Sequence, residues 1–422
     1  IRSLASFDLA AAQVTALLGS LIEDEHCTVR SQVLRTLAEV GKADSSTIKL
    51  LITASKPPLT GKNEMGGVYE RDFERFLARV AMEKYSDEVE AFLNSAELSD
   101  YPASNVLWAL QSLGEESFVE LFPKIWSVQD GGGIPDELFV SLATVIKNPT
   151  IQSLVAPAFS DPENYKAMLD LLLGTQDRMD SLQYKQLYGP ILSALANDPE
   201  TDRTKLYQAG RLLKAEELRT HALEFISQDK SAATLRIVLP ILMLNPGRNM
   251  SHLKTLASDD TLSFAARLEA VDAYNRANPK AGTGIISPLL SGLEGGERSA
   301  AVNRLSMSTQ GAQTLAQLVG KKVIAESDFN YLAATRMSDA LRRNPTAIKL
   351  MKTWAKKKAQ ENSMLTEKVE RYAEAIAGLE GNPIVGQGLF QGCLACHAVG
   401  DQGHSIAPAL DGSAARETHA LL

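Results

Sequence analysis

From Asp8 to about Leu379 the apolar residues recur at helical spacing in stretches of 10 to 17 residues, and two to six residues of Pro, Gly, Asn, Asp or Ser separate one stretch from the next. That rhythm predicts helices joined by short turns. Leu9, Val14, Leu17, Leu18 and Leu21 read as one helix, and Val29, Val33, Leu34, Leu37 and Val40 as its partner, ended by Gly41 in the position of a C′ glycine. Further hairpins are expected at Glu88–Gly114, Phe118–Ile146, Leu154–Leu173, Leu218–Leu244 and Ile348–Ala377.

One motif returns along the chain. Arg30 is followed at +3, +4 and +7 by Val33, Leu34 and Leu37, Arg267 by Ala270, Val271 and Tyr274, and Arg298 by Ala301, Val302 and Leu305; the last two copies lie 31 residues apart. An acidic turn, an arginine and then an apolar stripe resemble the second helix of a HEAT-type repeat. The resemblance implies an α-solenoid with a period of roughly 30 to 40 residues, against which a bundle with irregular connections is the competing architecture. The stretch Lys56–Gly67 reads as a surface excursion, or functionally a docking loop, before the charged helix YERDFERFLARVAMEK. Trp108, Trp126 and Trp354 are expected in the core, and Lys356, Lys357 and Lys358 on a solvated face. His26, His221 and His252 read as solvated or core residues, and Cys27 as a buried helix cysteine.

Composition narrows the classes. With 43 Lys+Arg against 51 Asp+Glu in 422 residues the formal charge is -8, and no basic excess points to nucleic acid. Hydrophobic residues at 45% and charged residues at 22% are ordinary for a globular chain, and no run approaches the 18 apolar residues of a membrane span. The sequence opens at Ile1 without a recognisable leader. Three cysteines are too few for a disulfide scaffold.

At Gly381 the text changes: the last 42 residues hold seven of the 28 glycines, one arginine and no lysine. A domain boundary is expected there, giving a helical-repeat domain at 1–380 and a second domain at 381–422. The second is centred on Cys393-Leu394-Ala395-Cys396-His397, the spacing that attaches c-type haem. Random placement of three Cys and six His would yield such a match with an expectation on the order of 10⁻⁴. Two thiols three residues apart on a helical turn reach the two vinyl groups on one porphyrin edge, and the adjacent imidazole faces the iron. The same residues admit other readings. A zinc site needs two further ligands, for which His404 and His419 exist without forming a second pair. A thioredoxin-like redox pair needs a preceding strand, whereas Gly386–Gln391 reads as helix. Plain structural cysteines are the third alternative.

Gly386, Leu389 and Phe390 before the pair, and Pro408-Ala409-Leu410-Asp411-Gly412 after it, resemble the pattern of class I cytochrome c domains, with Ala407 departing from the usual glycine before Pro408. The resemblance implies one covalent haem c with His397 as proximal ligand, Phe390 packed beside the haem edge, and Leu410 in the haem wall. It further implies that the Pro408 carbonyl accepts the Nδ1 proton of His397. The last methionine is Met364, 33 residues before His397, so the simplest expectation is a domain truncated before its sixth ligand and closing helix; His404 and His419 are the other candidates.

The whole chain therefore reads as all-α, a HEAT-like α-solenoid followed by a truncated class I cytochrome c domain. It is similar to the C-terminal part of planctomycete- and verrucomicrobial-type haem-binding proteins, in many of which such repeats follow a propeller related to quinone-dependent sugar or sorbosone dehydrogenases. That resemblance implies electron transfer with a redox protein or dehydrogenase domain as partner, in the periplasm or at the cell surface. The alternative is an interaction scaffold whose Cys pair binds zinc or is a redox pair. No Gly-rich nucleotide loop, HExxH or nucleophile elbow marks the chain itself as catalytic.

Overall fold

The computed structural model describes the chain except residues 8, 62–65, 128–133, 400–401, 404–409 and 411–422, and the fold it shows is all-α, 76% helical. The chain divides into two compact units, Ile1–Asn249 and Met250–Leu422. Among the described residues no helix is long and apolar enough to cross a membrane.

The first unit contains α1 (Ala11–Leu18), α2 (Cys27–Glu39), α3 (Ser45–Ala54), α4 (Val68–Lys84), α5 (Ser86–Ser95), α6 (Ala103–Leu110), α7 (Glu115–Trp126), α8 (Asp136–Val145), α9 (Pro149–Ser160), α10 (Tyr165–Thr175), α11 (Lys185–Asn197), α12 (Arg203–Leu212), α13 (Arg219–Gln228) and α14 (Ala232–Leu242). Most of these helices pack on the next but one. α2 meets α4, α4 meets α6, and the series continues through α8, α10 and α12 to α14, while α1, α3, α5, α7, α9 and α11 form a second such series. Short turns between neighbours are what allow two parallel series from one chain.

α15 (Pro246–Ala257) follows in the chain, and the second unit contains α16 (Phe264–Ala277), α17 (Pro279–Ser291), α18 (Gly295–Leu305), α19 (Thr309–Gly320), α20 (Tyr331–Ala340), α21 (Pro345–Ile376) and α22 (Pro383–Phe390). The alternation recurs: α16 packs on α18 and α18 on α20, α17 on α19 and α19 on α21.

Local chemistry explains where the helices start. Asn148, Asn278, Asn344 and Asn382 each cap a helix whose first residue is proline, the side-chain oxygen accepting backbone N–H groups of the first turn. Proline has no N–H to orphan at that position and its φ is already helical. The arginine motif holds its register, since all nine apolar residues at +3, +4 and +7 are buried. Each arginine also ties its helix to the turn before it: Arg30 Nη1 donates to the Asp24 carbonyl (2.6 Å), Arg267 pairs with Asp260 (2.9 Å), and Arg298 Nε donates to the Leu293 carbonyl (2.7 Å). Gly41 takes φ +75° just past α2, and its N–H donates to the Tyr85 hydroxyl.

Several expectations need correction. The first predicted helix stops at Leu18 and tightens into a 3-10 turn, Gly19–Glu23, leaving Leu17 exposed. Of the tryptophans only Trp108 is buried; Trp126, at the end of α7, and Trp354, within α21, are half-buried. The hairpin expected at Ile348–Ala377 is one helix of 32 residues, because nothing between Pro345 and Gly378 is a Gly or Pro that could turn the chain. His26 and His252 are exposed, His221 half-buried and Cys27 buried; Lys356 to Lys358 lie exposed.

Four aromatic rings fill the middle of the first unit. Tyr184 stacks on Phe139 with centroids 4.1 Å apart, Phe159 and Tyr188 close the cluster, and the two hydroxyls donate to the Phe139 and Met168 carbonyls. Burial raises both phenols far above the usual tyrosine range. A folded-state pKa above the unfolded one means stability that is intact below pH 10 and lost as pH rises. The unfolded chain releases these two protons above pH 10 and the folded one keeps them, so stability should fall by about 1.4 kcal/mol per pH unit per tyrosine. Alkaline difference spectroscopy should show Tyr184 and Tyr188 ionising only together with loss of far-UV signal. Ionisation of every tyrosine in the folded chain would refute this.

Candidate haem-attachment segment

Asn382 caps α22 through the N–H groups of Ile384 (3.1 Å) and Val385 (3.2 Å), and Pro383 fixes the first turn. The helix delivers the chain, two residues past Phe390, into a single 3-10 turn, Cys393–Ala395. The Cys393 carbonyl accepts from both the Cys396 N–H (3.1 Å) and the His397 N–H (2.9 Å). That one carbonyl gathers Cys393, Cys396 and His397 onto one turn. Neither thiol is in a disulfide, both are exposed, and His397 is half-buried.

A two-residue antiparallel ladder follows, β1 (Ala398–Val399) with β2 (Gln402–Gly403), pairing Ala398 with Gly403 and Val399 with Gln402. Leu410 returns to it, its N–H donating to the Ala398 carbonyl (2.9 Å). Gly403 is the residue the sequence reading missed. Its φ is +88°, and a Cβ there would lie 2.1 Å from the His397 carbonyl oxygen and 3.1 Å from Leu394. Only glycine combines that conformation with so close an approach. The signal was present in the sequence as a lone glycine six residues after His397, but nothing local said that the chain returns to touch the turn. Gly403→Val is expected to weaken the turn by about 2 kcal/mol, and so to speed exchange of the Cys396 and His397 amides about 30-fold. Exchange rates equal to those of the parent chain would show that the approach is not constraining.

Phe390 and Leu410 are half-buried, whereas Pro408, His404 and His419 lie outside the described residues. The predicted acceptance of the His397 proton by Pro408 and the sixth-ligand candidates therefore have no geometry here. No side chain of α22 is buried: Ile384 is 81% and Leu389 78% exposed. The donor set fits a covalently held haem, because two accessible thiols and an imidazole share one turn beside uncovered aliphatic side chains able to meet an apolar ring. A helix rather than a strand precedes the pair, which departs from the thioredoxin-like arrangement, while the two further zinc-ligand candidates, His404 and His419, lie outside the described residues.

Elsewhere the first unit holds a cleft of about 900 Å³ lined by α4, α6 and α8, with Trp108 and Phe76 among its walls. Its charges pair with one another: Arg79 with Glu83 (2.7 Å), Arg75 with Glu137 (3.8 Å) and Arg178 with Asp136 (3.8 Å). Arg75 is buried with its guanidinium over the Trp108 ring at 4.1 Å, donating to the Ser55 and Lys56 carbonyls. These contacts anchor the base of the Lys56–Gly67 stretch to α4, and its residues 62–65, read as a surface excursion or a docking loop, lie outside the described residues. No protein-family model matches the chain, and no curated protein matches it.

Proposed function

We propose that the protein transfers electrons through one covalently bound haem c, held at Cys393, Cys396 and His397 and carried on a helical-repeat scaffold. The observation that carries the proposal is the single turn on which the Cys393 carbonyl gathers two exposed thiols and the histidine that follows them. When bound, the haem supplies reversible one-electron chemistry at iron. Cys393 and Cys396 would hold it by adding their S–H groups across its two vinyl substituents, so that nothing is released and the link needs no large core. His397 would give the iron its proximal nitrogen, Phe390 and Leu410 would line the ring, and Pro408 would orient the imidazole.

The alternating contacts of both units support an α-solenoid of HEAT-like hairpins at 1–380, ahead of a class I cytochrome c segment at 381–422. Stacks of this kind present extended surfaces, and here the stack would set the haem at a fixed place relative to a redox protein or a dehydrogenase domain. Covalent haem attachment implies a periplasmic or cell-surface site. An interaction scaffold with a zinc-binding or redox Cys pair is the reading that a haem-free protein would leave.

The test is expression of the chain with cytochrome c maturation machinery, followed by an intact mass and a pyridine haemochrome spectrum. One haem mass per chain and a c-type α band are expected. Apo mass with both thiols intact, under conditions that mature a control cytochrome, would overturn the proposal.

A further inference from the structure

Among the described residues, the buried side chains of α21 lie at its start. Ala347 and Leu350 are buried, Lys349 pairs with Glu326 (2.6 Å), and the Trp354 indole N–H donates to the Glu326 carbonyl (3.3 Å). The 22 residues from Ala355 to Ile376 extend about 33 Å further with almost every side chain exposed. A solvated helix should be polar all round, and this one is not. Leu365, Val369, Tyr372 and Ile376 follow one another at +4, +3 and +4; Leu365 is 61%, Tyr372 48% and Ile376 39% exposed.

That spacing is a heptad seam, with Val369 and Ile376 at a and Leu365 and Tyr372 at d. β-Branched residues at a with leucine at d favour two parallel strands. One heptad upstream the a position is Asn362, also exposed, and a single asparagine at a is the residue that fixes register and dimeric state at some loss of affinity. The charged side chains Glu367, Glu370, Arg371 and Glu374 fall at the outward f, b, c and f positions. The flanking g and e positions set Glu361 against the partner's Thr366 and Lys368 against the partner's Ala373, with no like charges opposed.

We propose that the distal half of α21 is a docking surface for a second copy of this chain, paired in parallel as a two-stranded coiled coil through Asn362, Leu365, Val369, Tyr372 and Ile376. α22 cannot cover the seam, since its eight residues span about 12 Å against about 21 Å from Asn362 to Ile376. Two copies would bury on the order of 1,000 Å² between them, the lower bound of a specific interface, so a weak, reversible dimer is expected. A parallel pair brings the C-terminal ends of both α21 helices together, and with them the two Cys393–His397 segments. The pairing itself does not depend on haem.

Sedimentation equilibrium of the full chain from about 1 to 100 µM tests this. A monomer–dimer equilibrium is expected, weakened at least 30-fold by Val369→Glu or Ile376→Glu with unchanged helix content. Met364→Glu, at an exposed c position, should leave it intact, and Asn362→Val should tighten association and admit larger oligomers. A chain that stays monomeric over the whole range overturns the proposal, whether the seam is then bare or reserved for another protein. So does a dimer that Met364→Glu disrupts as strongly as Val369→Glu.

Discussion

Replacing Cys393 and Cys396 together by alanine is expected to reduce covalent haem from about one per chain to below about a twentieth. In the proposed attachment each thiol makes one link, and the Cys393 carbonyl, accepting from the Cys396 and His397 N–H groups, keeps the three residues on one turn. Either single variant should therefore keep one thioether, with the α band moved to longer wavelength by the vinyl group left unsaturated. Cys27→Ala is the matched control. Cys27 is buried at the start of α2, away from solvent, and its loss should leave loading complete. Intact mass after denaturation separates covalent from merely adsorbed haem. Full loading of the double variant would sink the assignment of the site, whatever the spectrum of the parent chain.

The register of the three arginine-led helices was legible because one residue type carried it. An arginine that must reach the preceding turn, followed by apolar residues at +3, +4 and +7, leaves a trace in sequence that survives divergence, and all nine of those apolar positions are buried. What stayed hidden were features made by distant segments meeting. Glu269 and Asp272 stand in a helix buried on nearly every side, where Arg304 bridges them at 2.7 and 3.0 Å and Arg276 adds a contact to Asp272 at 3.2 Å. Burial pushes the Asp272 carboxyl up, while the two arginines oppose that shift. In sequence these residues look like an ordinary solvated face. Tertiary packing of α16 against α17, α18 and α19 overrides that reading.

The candidate site divides in the same way. Cys393, Cys396 and His397 were readable because the attachment chemistry proposed for them demands contiguous residues, and the turn that joins them is local. Gly403 was not, since its need for glycine comes from a backbone oxygen six residues earlier in the chain. The length of α21 was misread for a different reason: its apolar seam looked like one arm of a hairpin. A period of 3.5 residues reports that a partner is required, without saying whether the partner is the next helix or another molecule.

Tyr184→Ala is expected to destabilise the first unit by about 4 to 5 kcal/mol, the upper range for truncating a buried aromatic. The ring is fully buried in contact with Phe139, Phe159 and Tyr188, and its hydroxyl is bonded to the Phe139 carbonyl. Truncation leaves a cavity and removes the hydroxyl's bond to the Phe139 carbonyl. Tyr184→Phe keeps the stack and loses only the hydrogen bond, and should cost about 1 to 2 kcal/mol. Urea unfolding followed at the tyrosine signal and in the far-UV distinguishes the two, and equal effects would mean that the hydroxyl rather than the stack holds the cluster. The cluster matters because of which helices it joins. Phe139 belongs to α8, Phe159 to α9, Tyr188 to α11, and the Tyr188 hydroxyl reaches the Met168 carbonyl of α10. Members of both contact series therefore meet at four rings, and a cavity there loosens both at once, which is why one side chain is expected to carry so large a share of the unit's stability.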